Sequence, residues 1–280
     1  MQKLSTLFAS TAASTVLLWA APSINGAQAA SIGSTIDFSS LNLNGSASVV
    51  VEETEPPILR LTPSTSFQAG SAFLETPIAI DDDTSFWTQF SFQISNAGGV
   101  ESADGLAFLL QNDPAGPGAM GGSGGNIGYQ GISPSLVIEF DTFLGSGIGD
   151  PSGNHIGINL NGNLTSIGTA EAGFPALDSG EVFHAWIDYD GKTDQLEIFL
   201  SNTENQPLTP ILSLAGLELP SVLGDQAFAG FTSGTGGGFA EHDVLTWEFE
   251  TGSKTPEPSS LLSLVVLALA AGTGLKRQPR

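Results

Sequence analysis

Glu139 to His155 reads EFDTFLGSGIGDPSGNH, and this stretch places three carboxylates and an imidazole at separations suited to metal ions. Glu139 and Asp141 are two apart, so on a strand both project to one face while Ile138 and Phe140 turn to the other. The pattern predicts a strand with one wet, acidic face and one core face. Asp150 and His155 then return from a glycine-rich loop whose backbone can fold around a cation. Hard oxygen donors suit calcium, and an imidazole added to shared carboxylates suits manganese or another transition ion beside it. Like charges about 4 Å apart repel by roughly 4 kcal/mol at an effective dielectric near 20, so without cations the cluster would strain the fold. The competing reading is a solvated strand face with His155 as an ordinary loop residue.

Around this stretch, short alternating runs recur: 58–61, 86–94, 106–110, 136–140, 185–189, 196–200 and 244–249. They predict strands. Clusters such as Asn112-Asp113-Pro114 and Asp190-Gly191-Lys192-Thr193 punctuate them, the second being a hairpin turn signal. Many strands so separated argue an all-β sandwich. Two glycine-dense tracts, 116–131 and 230–238, read as loops beside a ligand site. Phe86, Trp87, Phe90 and Phe92 alternate as core and sheet face rather than as a sugar platform.

The first thirty residues have the pattern of a signal peptide: Lys3, an apolar stretch through Val16 to Trp19, and Ala27-Gln28-Ala29 as a cleavage site. Residues 31–253 form one domain, and no second domain is evident. It carries 28 carboxylates against Arg60 and Lys192, a formal charge of −26, which makes nucleic acid an unsuitable partner. The sequence has no cysteine, so disulfides do not stabilise it. Residues 254–280 hold Pro256-Glu257-Pro258, seventeen uncharged residues from Ser259 to Leu275, and then Lys276, Arg277 and Arg280. That segment resembles the PEP-CTERM sorting signal. The resemblance implies export in a Gram-negative bacterium to the outer envelope or beyond, transient inner-membrane association, and cleavage by an exosortase-type enzyme. A helix of that length spans roughly 26 Å, short of a bilayer core of about 30 Å.

Four blocks, in order, resemble the L-type (legume-lectin-like) lectins: Ala103 to Phe108, Gly124 to Tyr129, Glu139 to Gly157, and Gly230-Phe231 to Trp247. The match runs through nearly all of residues 31–250 and implies an all-β, concanavalin-like jelly-roll β-sandwich. It also implies calcium and a transition ion such as Mn2+ next to a shallow sugar pocket. Carried over by position, Glu139 and His155 would hold the transition ion, Asp141 and Asp150 would bridge both ions, and the Phe143 carbonyl would ligate calcium. Thr165 falls where the family has a hydroxyl contacting a metal-bound water. For sugar, Asp104 would accept from two hydroxyls, Gly125 would donate a backbone N–H and Phe143 would stack on the pyranose. Gly237 and Gly238 fall in the loop that sets sugar preference, and a cis peptide is implied at Ala103-Asp104. Gly145 departs from the family, which usually has an asparagine there that ligates calcium and bonds the sugar; Asn126, Ser146 and Asn154 are the candidate replacements.

The function expected is carbohydrate or polysaccharide binding without turnover. A rigid matrix module with a degenerate sugar site is the structural alternative. A sandwich glycoside hydrolase would need two carboxyls about 5–5.5 Å apart as nucleophile and acid. Here Glu139-Phe140-Asp141 is followed by Thr142, Phe143 and Leu144, so the second glutamate is absent. His184 and His242 sit beside Trp186 and Trp247 with no nucleophile placed to use them, and are read as packing residues. Asp81-Asp82-Asp83 reads as a solvated turn.

Overall fold

A computed structural model describes residues 35–252 apart from 52, 54 and 146–148. The signal-peptide and sorting-signal segments, 1–30 and 254–280, and Ser146 lie outside the described residues. Fifteen strands run through the described residues: β1 (Leu41–Gly45), β2 (Ser48–Val50), β3 (Ile58–Thr62), β4 (Ala69–Leu74), β5 (Ile78–Ala79), β6 (Phe86–Gly99), β7 (Gly105–Gln111) and β8 (Ser135–Asp141), then β9 (His155–Leu160), β10 (Gly168–Glu171), β11 (Val182–Asp190), β12 (Gln195–Ser201), β13 (Leu212–Ala215), β14 (Gln226–Gly234) and β15 (Gly238–Thr251). They pair antiparallel into two sheets, one ordered β1-β4-β14-β7-β8-β9-β10 with β5 beside β14, the other β13-β12-β11-β6-β15-β3-β2. The expected all-β sandwich is what the chain forms. No helix among the described residues is long and apolar enough to cross a membrane.

Alternation decides which face each strand buries. Phe86, Phe90 and Phe92 of β6 point inward, as do Phe108 of β7, Phe140 of β8, Phe231 of β14 and Trp247 of β15, all in one inter-sheet core. Among these rings, Phe90 with Phe231 and Phe231 with Trp247 meet edge to face with centroids 4.9 Å apart, a geometry the aromatic quadrupole favours. Within that core the Trp247 Nε1–H is satisfied by Thr88 Oγ1 at 2.9 Å. On the outer face of the second sheet, Arg60 forks onto both oxygens of Asp243 at 2.8 Å and reaches Glu241 at 3.1 Å.

A second, smaller core lies on the other side of the first sheet. Ala119, Ile127, Tyr129 and Ile132, from the segment after β7, pack on Ala107, Leu109 and Val137. Every residue of β7 and β8 is therefore buried. The tract 116–131 is thus a roof over the sheet rather than a free loop. At Gly128 a Cβ would stand 2.5 Å from the Ser233 carbonyl oxygen, so only glycine lets the roof descend this far.

The reading of 230–238 as a loop is corrected. Residues 230–234 belong to β14 and β15 starts at Gly238, leaving only three residues between them. Gly230 is there for close approach: a Cβ would meet the Ala72 carbonyl oxygen at 2.1 Å. The turn predicted at residues 190–193 does join β11 to β12, and Asp81 to Asp83 is an exposed turn capped by Asp81 Oδ1.

His242 is fully buried, with Nδ1 2.7 Å from Thr62 Oγ1 and Nε2 without a hydrogen-bond partner. Burial pushes its imidazole down to about 3, so the folded chain stays neutral here while the unfolded chain takes up a proton below its ordinary value near 6.5. Stability from this residue is therefore present above pH 6.5 and lost on acidification. Going from pH 7.5 to 5, the native protein should lose about 2 kcal/mol more than His242→Gln, as read from urea denaturation at the two pH values.

Candidate functional site

The end of β8 and the start of β9 build the acidic cluster. Their register sets Asp141 opposite His155 and Glu139 opposite Gly157. The missing side chain at 157 leaves room for the Glu139 carboxylate, because a Cβ there would stand 2.2 Å from Glu139 Oε1. One ligand atom from each of Glu139, Asp141 and His155 lies within 4.8 Å of the others. Asp150 enters from the intervening loop, with Oδ1 3.9 Å from His155 Nε2 and Oδ2 accepting the Gly145 N–H at 2.8 Å. The four predicted carboxylate and imidazole residues are thus brought together.

The expected wet face is not wet. Glu139 is 2% exposed, Asp141 5% and His155 0%, because the roof segment covers this side of the sheet. From that roof the Tyr129 hydroxyl donates to Glu139 Oε2, while accepting from Asn159 Nδ2 at 2.9 Å. Ser166 Oγ stands 2.9 Å from Glu139 Oε1. Thr165 is exposed, so the hydroxyl meeting the cluster is its neighbour's. Tyr129, Asn159 and Ser166 were not found from sequence; the signal available was a tyrosine within the glycine-dense tract.

His155 shows what the cluster can hold. Its Nδ1 lies 2.8 Å from the Ser152 carbonyl oxygen, a contact only an N–H can satisfy, so in the neutral ring Nε2 carries the lone pair. That atom is buried, has no hydrogen-bond partner, and faces Glu139 Oε1 at 3.6 Å and Asp150 Oδ1 at 3.9 Å. A lone pair and carboxylate oxygens converging without a donor between them fit a cation, with Ser152 as the group that orients the ring.

Electrostatics agree. Burial raises the Asp141 carboxyl to about 8, with the Glu139 charge adding, against the Phe143 N–H and His155. Asp150 is also raised, chiefly by burial. For His155, burial acts downward, but the Glu139 and Asp141 carboxylates outweigh it and hold the imidazole up. Each shift says that the cluster gathers positive charge.

Asp104 lies beside this cluster, just before β7. Its carbonyl accepts from Thr142 N at 3.1 Å, its N–H donates to the Gly234 carbonyl at 3.2 Å, and the Ala103–Asp104 peptide is cis, as the family resemblance implies. The residue is 4% exposed and Oδ2 has no hydrogen-bond partner. Burial raises its carboxyl to about 6, opposed by the Gly236 N–H. A Cβ on Gly125 would lie 3.8 Å from Oδ1 and one on Gly236 3.3 Å from Oδ2, so two glycines border the carboxylate. Gly236 was missed in favour of Gly237 and Gly238. A Cβ at 237 would meet nothing within 4 Å, and Gly238 packs on the Glu101 carbonyl. Phe143 is half-buried next to Asp141, whose Oδ1 accepts its N–H at 2.6 Å.

At the departure from the family, the Gly145 N–H is held by Asp150. The Asn154 amide is engaged at both ends, donating to the Gly173 carbonyl at 2.7 Å and accepting from Leu177 N at 2.9 Å. Asn126 donates to the Ser123 carbonyl at 2.7 Å. Asn154 therefore does not replace the missing asparagine in this arrangement.

Comparison with known proteins gives the class. The family model described as the legume lectin domain matches residues 34–263. An L-type lectin-domain containing receptor kinase VIII.1 of Arabidopsis thaliana is 34% identical over 190 residues, 64% of this chain and 26% of its own length. SIT2, an L-type lectin-domain containing receptor kinase of Oryza sativa subsp. japonica, is 33% identical over 250 residues, 81% of this chain and 36% of its own length. The chain thus spans about a quarter to just over a third of these relatives. Among solved structures, the metal-free form of lectin I-B4 from Griffonia simplicifolia superposes with a TM-score of 0.64 at 26% identity, over 76% of this chain and 94% of that one. Lectin UEA-II complexed with galactose superposes with a TM-score of 0.62 at 30% identity, over 76% and 93%. The chain belongs to the legume lectin family, whose domain is a non-catalytic, carbohydrate-binding sandwich.

Because Glu139 occupies the space above Gly157, Gly157→Ala should destabilise the fold by about 1–3 kcal/mol, the cost of overpacking a buried site, as measured by urea denaturation.

Proposed function

We propose that this chain is an exported, metal-dependent carbohydrate-binding protein that acts by binding surface or extracellular polysaccharide without turnover. The observation carrying the reading is a pair of buried, unpartnered atoms at one end of the first sheet, His155 Nε2 at the start of β9 and Asp104 Oδ2 just before β7, with β8 between them. Buried polar atoms are almost always satisfied, so these two support ligands completing the structure there.

Glu139, Asp141, Asp150 and His155 have the donor set for a manganese-type ion, and Asp141, Asp150 and the Phe143 carbonyl supply hard oxygens for calcium. Bound cations would supply the positive charge that lets these carboxylates stay ionised and would hold Asp150 against the strands. Asp104 then acts as acceptor for two sugar hydroxyls, a charge-assisted contact. Gly125 donates its N–H, and the Phe143 ring covers apolar C–H surface of the pyranose. Gly237 and Gly238 fall in the loop that, by the family resemblance, sets sugar preference. The absence of a second glutamate after Asp141, together with occupation of Glu139 and Asp141 by metal, leaves no acid–base pair for hydrolysis.

The same reading takes residues 1–30 as a removable export signal and 254–280 as a sorting signal, with transient inner-membrane association and exosortase-type processing. Its support is the residue pattern of those segments.

Two measurements test it. Thermal unfolding with calcium and manganese against exhaustive chelation should give a Tm about 5–10 °C higher with metal, the shift expected when ions are present near a hundred times their Kd. A glycan array on the metal-loaded protein should give binding that chelation abolishes and that Asp104→Asn weakens by about tenfold or more. Silence across a broad array with the metals bound would overturn the lectin reading in favour of a matrix module.

A further inference from the structure

Among the described residues, five that are not glycine have positive φ: Phe67, Asn96, Ile127, Asn161 and Asp194. Asn and Asp visit this region with little difficulty, whereas a bulky side chain there is strained. Ile127 has an evident reason, since it is 1% exposed and belongs to the roof core. Phe67, at φ 58°, has none of that kind: it is 72% exposed and joins neither hydrophobic cluster.

What holds Phe67 is the turn beside Asp104. Its N–H donates to the Gly236 carbonyl at 3.1 Å, and Gly236 is the glycine bordering Asp104 Oδ2. The next residue is clamped twice to the same turn, Gln68 N to Thr235 Oγ1 and Thr235 N to the Gln68 carbonyl, both at 2.9 Å. The strand register continues the line: Gly105 of β7 faces Gly234 of β14, which faces Ala69 of β4. Phe67 therefore sits about two strand spacings, roughly 10 Å, from Asp104. Phe143 follows β8, on the opposite side of β7.

We propose that Phe67 is the aromatic platform of an additional saccharide subsite, receiving the sugar unit joined to the one held at Asp104. The proposal rests on the lectin reading above and extends it from one sugar to a chain. A strained, exposed aromatic persists when something other than folding requires it. Here the positive φ and the turn contacts fix the backbone of an exposed aromatic residue next to the glycine that borders the Asp104 carboxylate, and the apolar face of a pyranose is the surface such a side chain covers. The ligand class that follows is an oligosaccharide or polysaccharide, bound along a line from Phe143 past Asp104 to Phe67.

The test is calorimetric titration of the calcium- and manganese-loaded full chain with galactose, glucose and mannose, each as methyl glycoside, disaccharide and trisaccharide. The native protein should bind at least one disaccharide more tightly than its methyl glycoside. Phe67→Ala should weaken di- and trisaccharide binding by about three- to tenfold, the loss falling on the longer ligands, and Phe67→Trp should restore it. Phe67→Gly should lose the same increment with Tm unchanged or higher, because glycine relieves the positive φ. A chain-length gain that survives Phe67→Ala and Phe67→Gly, or a lower Tm for Phe67→Gly, would overturn the subsite. Binding indifferent to Asp104→Asn, or no binding by the native protein, would instead defeat the lectin reading itself and the subsite with it.

Discussion

Three carboxylates and an imidazole held under a protein roof at the junction of β8 and β9 are the constraint on which the rest of this structure turns. Burying like charges is unfavourable unless something compensates, and the fold supplies only part of the compensation. Tyr129 and Ser166 donate to Glu139, the Phe143 N–H to Asp141, and the Gly145 N–H to Asp150. None of these donors carries a charge. The imidazole, oriented by Ser152, is held up by the carboxylates and partly offsets their charge when protonated; in the neutral ring its lone pair faces them as another ligand atom for a cation.

The glycines serve the same arrangement. Gly157 gives the Glu139 carboxylate its space, Gly128 lets the roof come down onto Ser233, and Gly125 and Gly236 stand at either oxygen of Asp104. Sheet, roof and turn meet at one end of the molecule because each gives up a side chain there. Burial of β7 and β8 on both faces then fixes the strands carrying Asp104 and Glu139 at their ends, so that the pocket stands on the most completely packed part of the sandwich.

Much of this was legible in the residues. Alternation located β3, β6, β7, β8, β11, β12 and β15, since residues such as Phe90, Phe108 and Trp247 recur at the period that burial on one face imposes. Spacing put Glu139 and Asp141 on one side, which holds. What local pattern could not supply was the roof: nothing in residues 116–131 says that glycines there permit close packing rather than motion, so the acidic face was expected to be wet. The same ambiguity hid residues 230–234, where glycine marks the approach of a neighbouring strand. Gly236 and Phe67 escaped because their importance lies in contacts across β4, β14 and β7, strands joined only in three dimensions. Ser166, one position from Thr165, is the hydroxyl that reaches Glu139, because loop geometry decides which side chain turns inward.

The fork of Arg60 onto Asp243 and Glu241 also shapes what can reach the pocket. It neutralises the domain's lone guanidinium, and Lys192 is the other fixed cation among 28 acidic groups of residues 31–253. The surface field is accordingly negative, extending about 8 Å at physiological ionic strength. An anionic solute is repelled at that range, and a neutral one is not. Solutes are thus sorted by charge before they make contact, and the sorting fades as salt is raised.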